Sequence, residues 1–245
     1  MPTRLMHLVV DTPDAVRLAT WWSEVLGWVL DADPEESYVE PPDGEPGVPL
    51  LFGRNDDPRR GKNRVHLDFA SSDAAEQREI VDRLLAAGAT HADIGQGDVP
   101  WTVLADPDGN ELCVLEPRPD HDATGVVAAI VLDALDPPAL ARFWAAASGW
   151  QVMTASPQGA RLRAPDGTGP LLELVPTAEP HRYKNRVHLD VAGYPDDDQA
   201  AEVERLVALG ARHTDVGQSA AKPGEVTWVV LADPGGNEFC VLRSR

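Results

Sequence analysis

The side chains best suited to chemistry lie in a seven-residue sequence, Lys-Asn-Arg-Val-His-Leu-Asp, that occurs twice. It spans residues 62–68 and recurs unchanged at residues 184–190. In a strand, alternate side chains share a face, so the arginine, histidine and aspartate should point together, away from the apolar residues between them. A carboxylate that orients an imidazole can make it a general base near neutral pH. This pattern makes His66, Asp68 and His188 candidate catalytic residues.

A structural interpretation of the same cluster remains open. Arg64 and Arg186 could pair with carboxylates, including Glu111 and Glu238 on the last strand of each copy, and thereby brace the fold. The cluster recurs in both copies while other positions diverge, which favours bracing. Specific chemistry is then expected where the copies differ. Those places are His7 against Ala129, Phe52 against Glu173, and the longer loop from Ser219 to Glu225 in the second copy.

The repeat extends far beyond the seven residues, which indicates a duplicated chain. The offset between copies is 122 residues (184 minus 62), and a Leu-Ala-Asp-Pro turn followed by Gly-Asn-Glu closes both. A polar, proline-rich segment lies between them. We therefore predict a first domain at residues 1–118, a linker at 119–124 and a second domain at 125–245.

Each copy contains the pattern of a strand, a helix and a strand meander twice. In the first copy, helices are expected from Thr12, the predicted cap, to Gly27 and from about Asp73 to Ala87. This pattern predicts an α+β protein of four β-α-β-β-β units, which form two curved-sheet cups. Four tryptophans at helix-packing positions should lie in the core, and these are Trp22, Trp28, Trp144 and Trp150. His121 and His181 are expected to be exposed.

The composition narrows the class of partner. The chain has 245 residues, is 43% apolar and carries a formal charge of −19. That charge argues against nucleic acid and anionic membranes and favours cationic ligands. Neither a membrane-spanning run nor a signal peptide is apparent, which predicts a cytoplasmic protein. Cys113 and Cys240 occupy matching places in the two copies, so no disulfide between them is expected.

Several spacings resemble those of a known superfamily. His7 lies seven residues before Asp14, Trp21 and Trp22 follow on the predicted helix, and His66 stands in the corresponding place in the next unit. Together with the final Asp-Pro turn, these features resemble the vicinal oxygen chelate superfamily, in its glyoxalase-like branch. That superfamily includes glyoxalase I, extradiol dioxygenases and bleomycin-resistance proteins. The resemblance implies the tandem cup fold but not one reaction.

The resemblance also implies four metal-ligand positions in each cup. The positions in the two copies are His7, Phe52, His66 and Cys113, and Ala129, Glu173, His188 and Cys240. Neither set is complete, and exchanging units between copies does not complete one. His7, His66 and Cys113 could still bind zinc, iron, nickel or manganese in the first half. The alternative is that the cysteines are small apolar core residues and that the protein has no cofactor.

The sequence thus predicts a protein that binds a small organic molecule, cationic or aromatic, without the usual metal quartet, as the bleomycin-resistance proteins do. An enzyme of the same superfamily, a lyase, isomerase or dioxygenase, is the alternative, and a pair in which only one half binds ligand is a third. The fused chain is expected to be a monomeric pseudo-dimer or a homodimer. The predicted ligand-binding residues are Phe52, Arg64, Trp101, Glu111, Glu173, Arg186, Trp228 and Glu238.

Overall fold

The computed structural model describes residues 3–217 and 227–244, so the predicted loop from Ser219 to Glu225 lies outside the described residues. Four units, each a strand, a helix and three strands, follow one another along the chain. Unit 1 comprises β1 (Arg4–Thr12), α1 (Ala15–Leu26), β2 (Val29–Asp31), β3 (Glu36–Glu40) and β4 (Leu50–Arg54). Unit 2 comprises β5 (Val65–Phe69), α2 (Ala74–Ala86), β6 (Thr90–His91), β7 (Thr102–Ala105) and β8 (Glu111–Val114).

The second copy repeats this order. Unit 3 comprises β9 (Val127–Ala134), α3 (Pro137–Ser148), β10 (Gln151–Ser156), β11 (Gly159–Arg163) and β12 (Leu171–Pro176). Unit 4 comprises β13 (Val187–Ala192), α4 (Gln199–Ala208), β14 (Arg212–His213), β15 (Trp228–Ala232) and β16 (Glu238–Leu242). The predicted α+β fold of four units is confirmed.

The sheets do not follow the two sequence copies. One eight-stranded sheet has the order β14-β15-β16-β13-β1-β4-β3-β2 and therefore combines units 1 and 4. The other has the order β10-β11-β12-β9-β5-β8-β7-β6 and combines units 2 and 3. The joints are antiparallel: β1 pairs with β13, and β5 pairs with β9. Each sheet thus takes one unit from each half of the chain.

The main apolar core contains buried residues of all four units, and the ring contacts within it join the two units of each half. Trp22 of α1 stacks on Phe69 of β5, with ring centroids 6.1 Å apart, and Trp144 of α3 meets Phe239 of β16 at 5.4 Å. The four tryptophans expected in the core are buried, as predicted. Because these ring contacts join units within a half and the sheets join units across halves, the two halves form one interlocked structure.

Aspartates begin all four helices among the described residues. The Asp14 carboxylate accepts a hydrogen bond from the backbone N–H of Arg17, and Asp73 accepts from Ala75 and Glu76. The cap of α1 therefore lies two residues after the predicted cap, Thr12. The Thr12 hydroxyl instead accepts a hydrogen bond from the backbone N–H of Asp14 at 3.2 Å. α1 ends at Gly27, whose φ of 71° is the left-handed conformation that glycine adopts most readily.

The segment between the copies is more ordered than its composition indicates. A short 3₁₀ turn covers Pro119–His121, and His121 is buried with 6% of its surface exposed. The prediction that His121 is exposed is wrong, because the turn folds the ring inward. Burial, assisted by nearby Arg118, lowers the pKa of His121. Across residues 3–217 and 227–244, no helix is both long and apolar enough to cross a bilayer.

Candidate functional site

Each sheet carries a polar cluster on the face opposite its helices. We call the face built from units 1 and 4 cup A, and the face built from units 2 and 3 cup B. In cup A, ligand atoms of His188, Asp190 and Cys240 all lie within 4.8 Å of one another. His188 Nε2 is 3.7 Å from Asp190 Oδ1 and 3.6 Å from Cys240 Sγ. The seven-residue motif and the last strand thus meet because β13 and β16 are parallel neighbours.

A second histidine joins the cluster in cup A. The antiparallel register places His7 of β1 directly opposite Asp190 of β13. His7 Nδ1 lies 3.6 Å from Asp190 Oδ2, the carboxylate oxygen that does not face His188. The ring of Tyr38 packs edge-on against His7 at 5.6 Å. Asp190 is therefore flanked by an imidazole on each side.

Cup B repeats the cluster without the second histidine. Ligand atoms of His66, Asp68 and Cys113 lie within 4.8 Å of one another, and His66 Nε2 is 3.4 Å from Asp68 Oδ1. Ala129 occupies the place opposite Asp68 that His7 occupies in cup A. Close by, Glu173 Oε1 is 3.0 Å from Arg161 Nε. Cup B thus contains a cationic guanidinium, paired with a carboxylate, where cup A has neither charge.

Several buried polar atoms of these clusters have no hydrogen-bond partner among the described residues. In cup A they are His7 Nδ1 and Asp190 Oδ1, and in cup B they include His66 Nδ1 and Asp68 Oδ1. A buried polar atom without a partner costs free energy, so native proteins rarely keep one without a function. Imidazole nitrogens and carboxylate oxygens of this kind can bind a metal ion or a polar ligand.

Both cysteine thiols are held in the protonated state. Burial, with the negative charge of Asp68 nearby, raises the pKa of Cys113 far above its usual value. Burial and Asp190 raise the pKa of Cys240 in the same way. A protonated thiol is a weak nucleophile, and it must lose its proton to bind a metal.

We predict that neither cysteine of the folded protein reacts readily with a disulfide reagent at neutral pH. The thiolate is the reacting species, and both thiols are buried and protonated. Titration with 5,5′-dithiobis(2-nitrobenzoate) should detect almost no thiol in the native protein and both after unfolding in guanidinium chloride. Rapid reaction of one thiol in the native protein would contradict this assignment.

The structure separates the three residues predicted as a first-half metal site. His7 lies in cup A, whereas His66 and Cys113 lie in cup B. That set is wrong because the sheets pair units from different halves. The catalytic candidates are likewise divided, with His66 and Asp68 in cup B and His188 in cup A. Asp190, which the sequence prediction left out of the ligand positions, stands at the centre of the more complete cluster.

Phe52 does not face a cup. It is fully buried in the core with Leu8 and Val10, on the helix side of its sheet. The residue that corresponds to Glu173 is Leu51: Leu51 pairs with Val9, as Glu173 pairs with Val131 in the other sheet. An offset of one residue turns a strand side chain to the opposite face, so the predicted match of Phe52 with Glu173 is wrong.

The two motif arginines connect the units and do not enter the cups. Arg64 donates to the backbone carbonyls of Asp133 and Glu179 and to Asn237 Oδ1. Arg186 donates to the backbone carbonyls of Asp11 and Asp108. Their predicted role as ligand contacts in the cups is replaced by a structural one, because each arginine bridges to a neighbouring unit.

Glu111 and Glu238 hold the loops that precede the motif strands. Glu111 pairs with Arg59 and accepts from the backbone N–H of Asn63 at 3.1 Å. Glu238 lies 3.0 Å from His181 Nε2 and accepts from the backbone N–H of Asn185 at 3.2 Å. This pairing leaves His181 only partly exposed, which corrects the expectation for that residue.

The two tryptophans predicted as ligand-binding walls lie beside the cysteines of the motif clusters. Trp228 packs beside Cys240 in cup A, and Trp101 packs beside Cys113 in cup B. Tyr38 and Arg161, which the sequence analysis missed, occupy equivalent places, since Tyr38 pairs with Leu51 as Arg161 pairs with Glu173. Strand alternation around β3 and β11 carried the only signal for them.

The comparisons with known proteins agree on the fold. A family model described as "Glyoxalase-like domain" matches residues 7–115 and 129–242. Among solved structures, glyoxalase I from Zea mays is 17% identical, with a TM-score of 0.64 over 98% of this chain and 92% of that one. A putative dioxygenase from Bacillus subtilis is 15% identical, with a TM-score of 0.63 over 99% and 86%. The comparison with curated proteins gave no match.

Proposed function

The chain belongs to the glyoxalase-like domain family, as a tandem member of the vicinal oxygen chelate superfamily, and we propose that cup A is its single working site. In this proposal cup A binds one divalent transition-metal ion together with a small organic ligand. Cup B supports the fold but binds neither a metal ion nor an organic ligand. The proposal revises the metal-free interpretation that the sequence favoured.

The cluster around Asp190 is the observation that carries this proposal. Tetrahedral zinc with nitrogen and sulfur ligands sets ligand atoms about 3.3–3.8 Å apart, as bond lengths of about 2.0–2.3 Å require. In cup A, the distances from His188 Nε2 to Asp190 and Cys240 are 3.7 and 3.6 Å. Two buried atoms there that could bind a metal, His7 Nδ1 and Asp190 Oδ1, have no hydrogen-bond partner among the described residues. The donor set of nitrogen, oxygen and sulfur suits zinc, iron or nickel.

The protein's own side chains would orient the metal ligands and contact the organic ligand. A bound metal would supply Lewis-acid polarisation of a ligand oxygen. Asp190 stands between the two imidazoles and would orient them, and Trp228 and Tyr38 would supply aromatic walls for an organic ligand. In cup B, Arg161 pairs with Glu173 and with Asp120, so the carboxylate of Glu173 already has a cationic partner that a metal ion would have to displace.

A second candidate is ligand binding without metal, by the same cup. The protonated thiol of Cys240 and the carboxylate of Asp190 form a proton-sharing cluster in the absence of any ion. With an aspartate and aromatic side chains, such a cup would suit an aromatic, cationic molecule. In an enzyme, His188 beside Asp190 would then act as the general base.

Metal analysis of protein purified without an affinity tag separates these candidates. We expect about one metal ion per chain after dialysis against zinc, iron, nickel or manganese and removal of excess ion. Asp190→Asn and His7→Ala should each lower the affinity at least about tenfold, because each removes a ligand or its orienting partner. Asp68→Asn is the matched control in cup B and should retain the metal.

Three results would count against the proposal. If wild-type protein holds no metal above background, the metal-free candidate replaces it, and aromatic ammonium compounds become the first ligands to titrate. If Asp68→Asn loses the metal and Asp190→Asn keeps it, the site is in cup B. If His7→Ala binds as wild type does, His7 has no part in the site.

A further inference from the structure

A cavity of about 520 Å³ lies apart from both cups, between two equivalent loops. The loops, residues 58–64 and 180–186, precede the motif strands β5 and β13 and are related by the repeat offset of 122 residues (180 minus 58). None of the histidines, aspartates and cysteines at the cup centres lines it. We call it the basic cavity.

Its charge is opposite to that of the whole protein. Seven cationic residues line the basic cavity, against two acidic ones, Asp133 and Glu179. The chain as a whole has 21 lysines and arginines and 40 acidic residues. One third of all its lysines and arginines therefore surround one cavity. The cationic residues are Arg59, Arg60, Lys62, Arg64, Arg182, Lys184 and Arg186.

Three of these cations have a carboxylate partner. Arg59 pairs with Glu111, Lys62 Nζ is 2.9 Å from Asp133 Oδ2, and Lys184 pairs with Asp11. These pairs hold the two loops against the sheets. They leave four guanidinium groups whose charge no carboxylate of the described residues neutralises.

The four arginines form two pairs that are equivalent in the two copies. Arg64 and Arg186 donate to backbone carbonyls, which leave their net charge in place, and Arg186 Nε is buried without a partner among the described residues. Arg60 and Arg182 are exposed. The guanidinium of Arg60 lies 5.7 Å from the centroid of the Tyr183 ring. Positive charges this close together repel one another and destabilise the folded state, and a bound anion would remove that repulsion.

From this arrangement we infer that the basic cavity binds a small polyanion, a molecule with two or more phosphate or carboxylate groups. Guanidinium groups bind both kinds of oxyanion through paired hydrogen bonds. The cavity volume lies within the range of about 300–1,000 Å³ typical of small-ligand sites. Arg60 and Arg182 are the pair free to turn toward the ligand, and Tyr183 offers a ring beside it.

Calorimetric titration with pyrophosphate and, separately, with citrate tests this site and distinguishes phosphate from carboxylate ligands. Wild-type protein should bind at least one of them at one per chain, with an affinity that falls as sodium chloride is raised. The double variant Arg60→Gln/Arg182→Gln should raise the Kd about tenfold or more. Arg78→Gln/Arg142→Gln removes the same charge from exposed helix positions that do not line the cavity, and it should bind as wild type does.

The cup variant Asp190→Asn should also bind the polyanion as wild type does, which separates this site from any metal in cup A. Absence of binding of both anions to the wild-type protein at low salt would overturn the inference. Equal weakening in the two arginine double variants would overturn it as well, since it would show a general ionic effect of net charge. Weakening in Asp190→Asn alone would place the anion in cup A.

Discussion

Replacement of Asp233 with alanine is expected to destabilise the protein by about 4 kcal/mol. Asp233 is fully buried, and its carboxylate accepts hydrogen bonds from Trp144 Nε1 at 3.2 Å and from the backbone N–H groups of Gly235 and Asn237 at 2.8 and 2.9 Å. The side-chain amide of Asn237 is a further donor. Alanine would leave these buried donors without an acceptor.

The loss should appear as a fall of about 10 °C in the midpoint of thermal unfolding, since 1 kcal/mol corresponds to about 2–4 °C at this chain length. Circular dichroism at 222 nm would measure it. Asp106, the equivalent residue, accepts from Trp22 Nε1 at 3.1 Å and from Asn110, so Asp106→Ala should cost a similar amount. The exposed Asp43→Ala is the control and should change the midpoint little. A midpoint of Asp233→Ala within 2 °C of the control, roughly the effect of 1 kcal/mol or less, would contradict this role.

The Asp-Pro turn that contains Asp233 shows what the sequence could predict. The turn recurs in both copies, and the structure gives it a scaffold role: its aspartate joins the turn to a tryptophan of the preceding unit's helix. Recurrence of this kind, with the helix and strand periodicity, was enough to predict four units and an α+β fold. The information is local, because each element lies within a short stretch of chain.

The composition of each cup could not be predicted in the same way. Nothing local to β1 specifies that it pairs with β13 and not with β5 or β9, so His7 was assigned to the wrong partners. The ligand positions that the resemblance implies also do not include Asp190. Only the antiparallel register between β1 and β13, a contact between residues far apart in the chain, brings His7 and Asp190 together.

Three neighbouring positions on the described strands differ between the cups. Cup A has an imidazole, a phenol ring and an aliphatic side chain where cup B has a methyl group, a guanidinium and a carboxylate. The corresponding residues are His7, Tyr38 and Leu51 in cup A, and Ala129, Arg161 and Glu173 in cup B. The motif clusters beside them are the same in both cups. If the proposal for cup A is right, we expect these three positions to decide which cup binds a metal.

The triple variant Ala129→His/Arg161→Tyr/Glu173→Leu is therefore expected to bind two metal ions per chain. Histidine at position 129 would face Asp68 as His7 faces Asp190, because both pairs are in register on antiparallel strands. Replacing Arg161 and Glu173 together removes the guanidinium, leaves the net charge of the cup unchanged and avoids a buried carboxylate without its partner. Metal content would be measured per folded chain, with the thermal midpoint as the check on folding.

The single variant Ala129→His is the informative control, because it adds the imidazole but keeps the guanidinium nearby. We expect its second site to be weaker than that of the triple variant, since the Arg161–Glu173 ion pair stays in place and keeps a guanidinium in the same cup. A triple variant that folds and still binds one metal ion would show that these positions do not control binding. Two ions in the triple variant, reduced to one by Asp68→Asn, would show that the motif cluster holds metal wherever a second imidazole faces its aspartate. The duplication would then have preserved the metal ligands in both cups, and the substitutions opposite the aspartate would have removed binding from one of them.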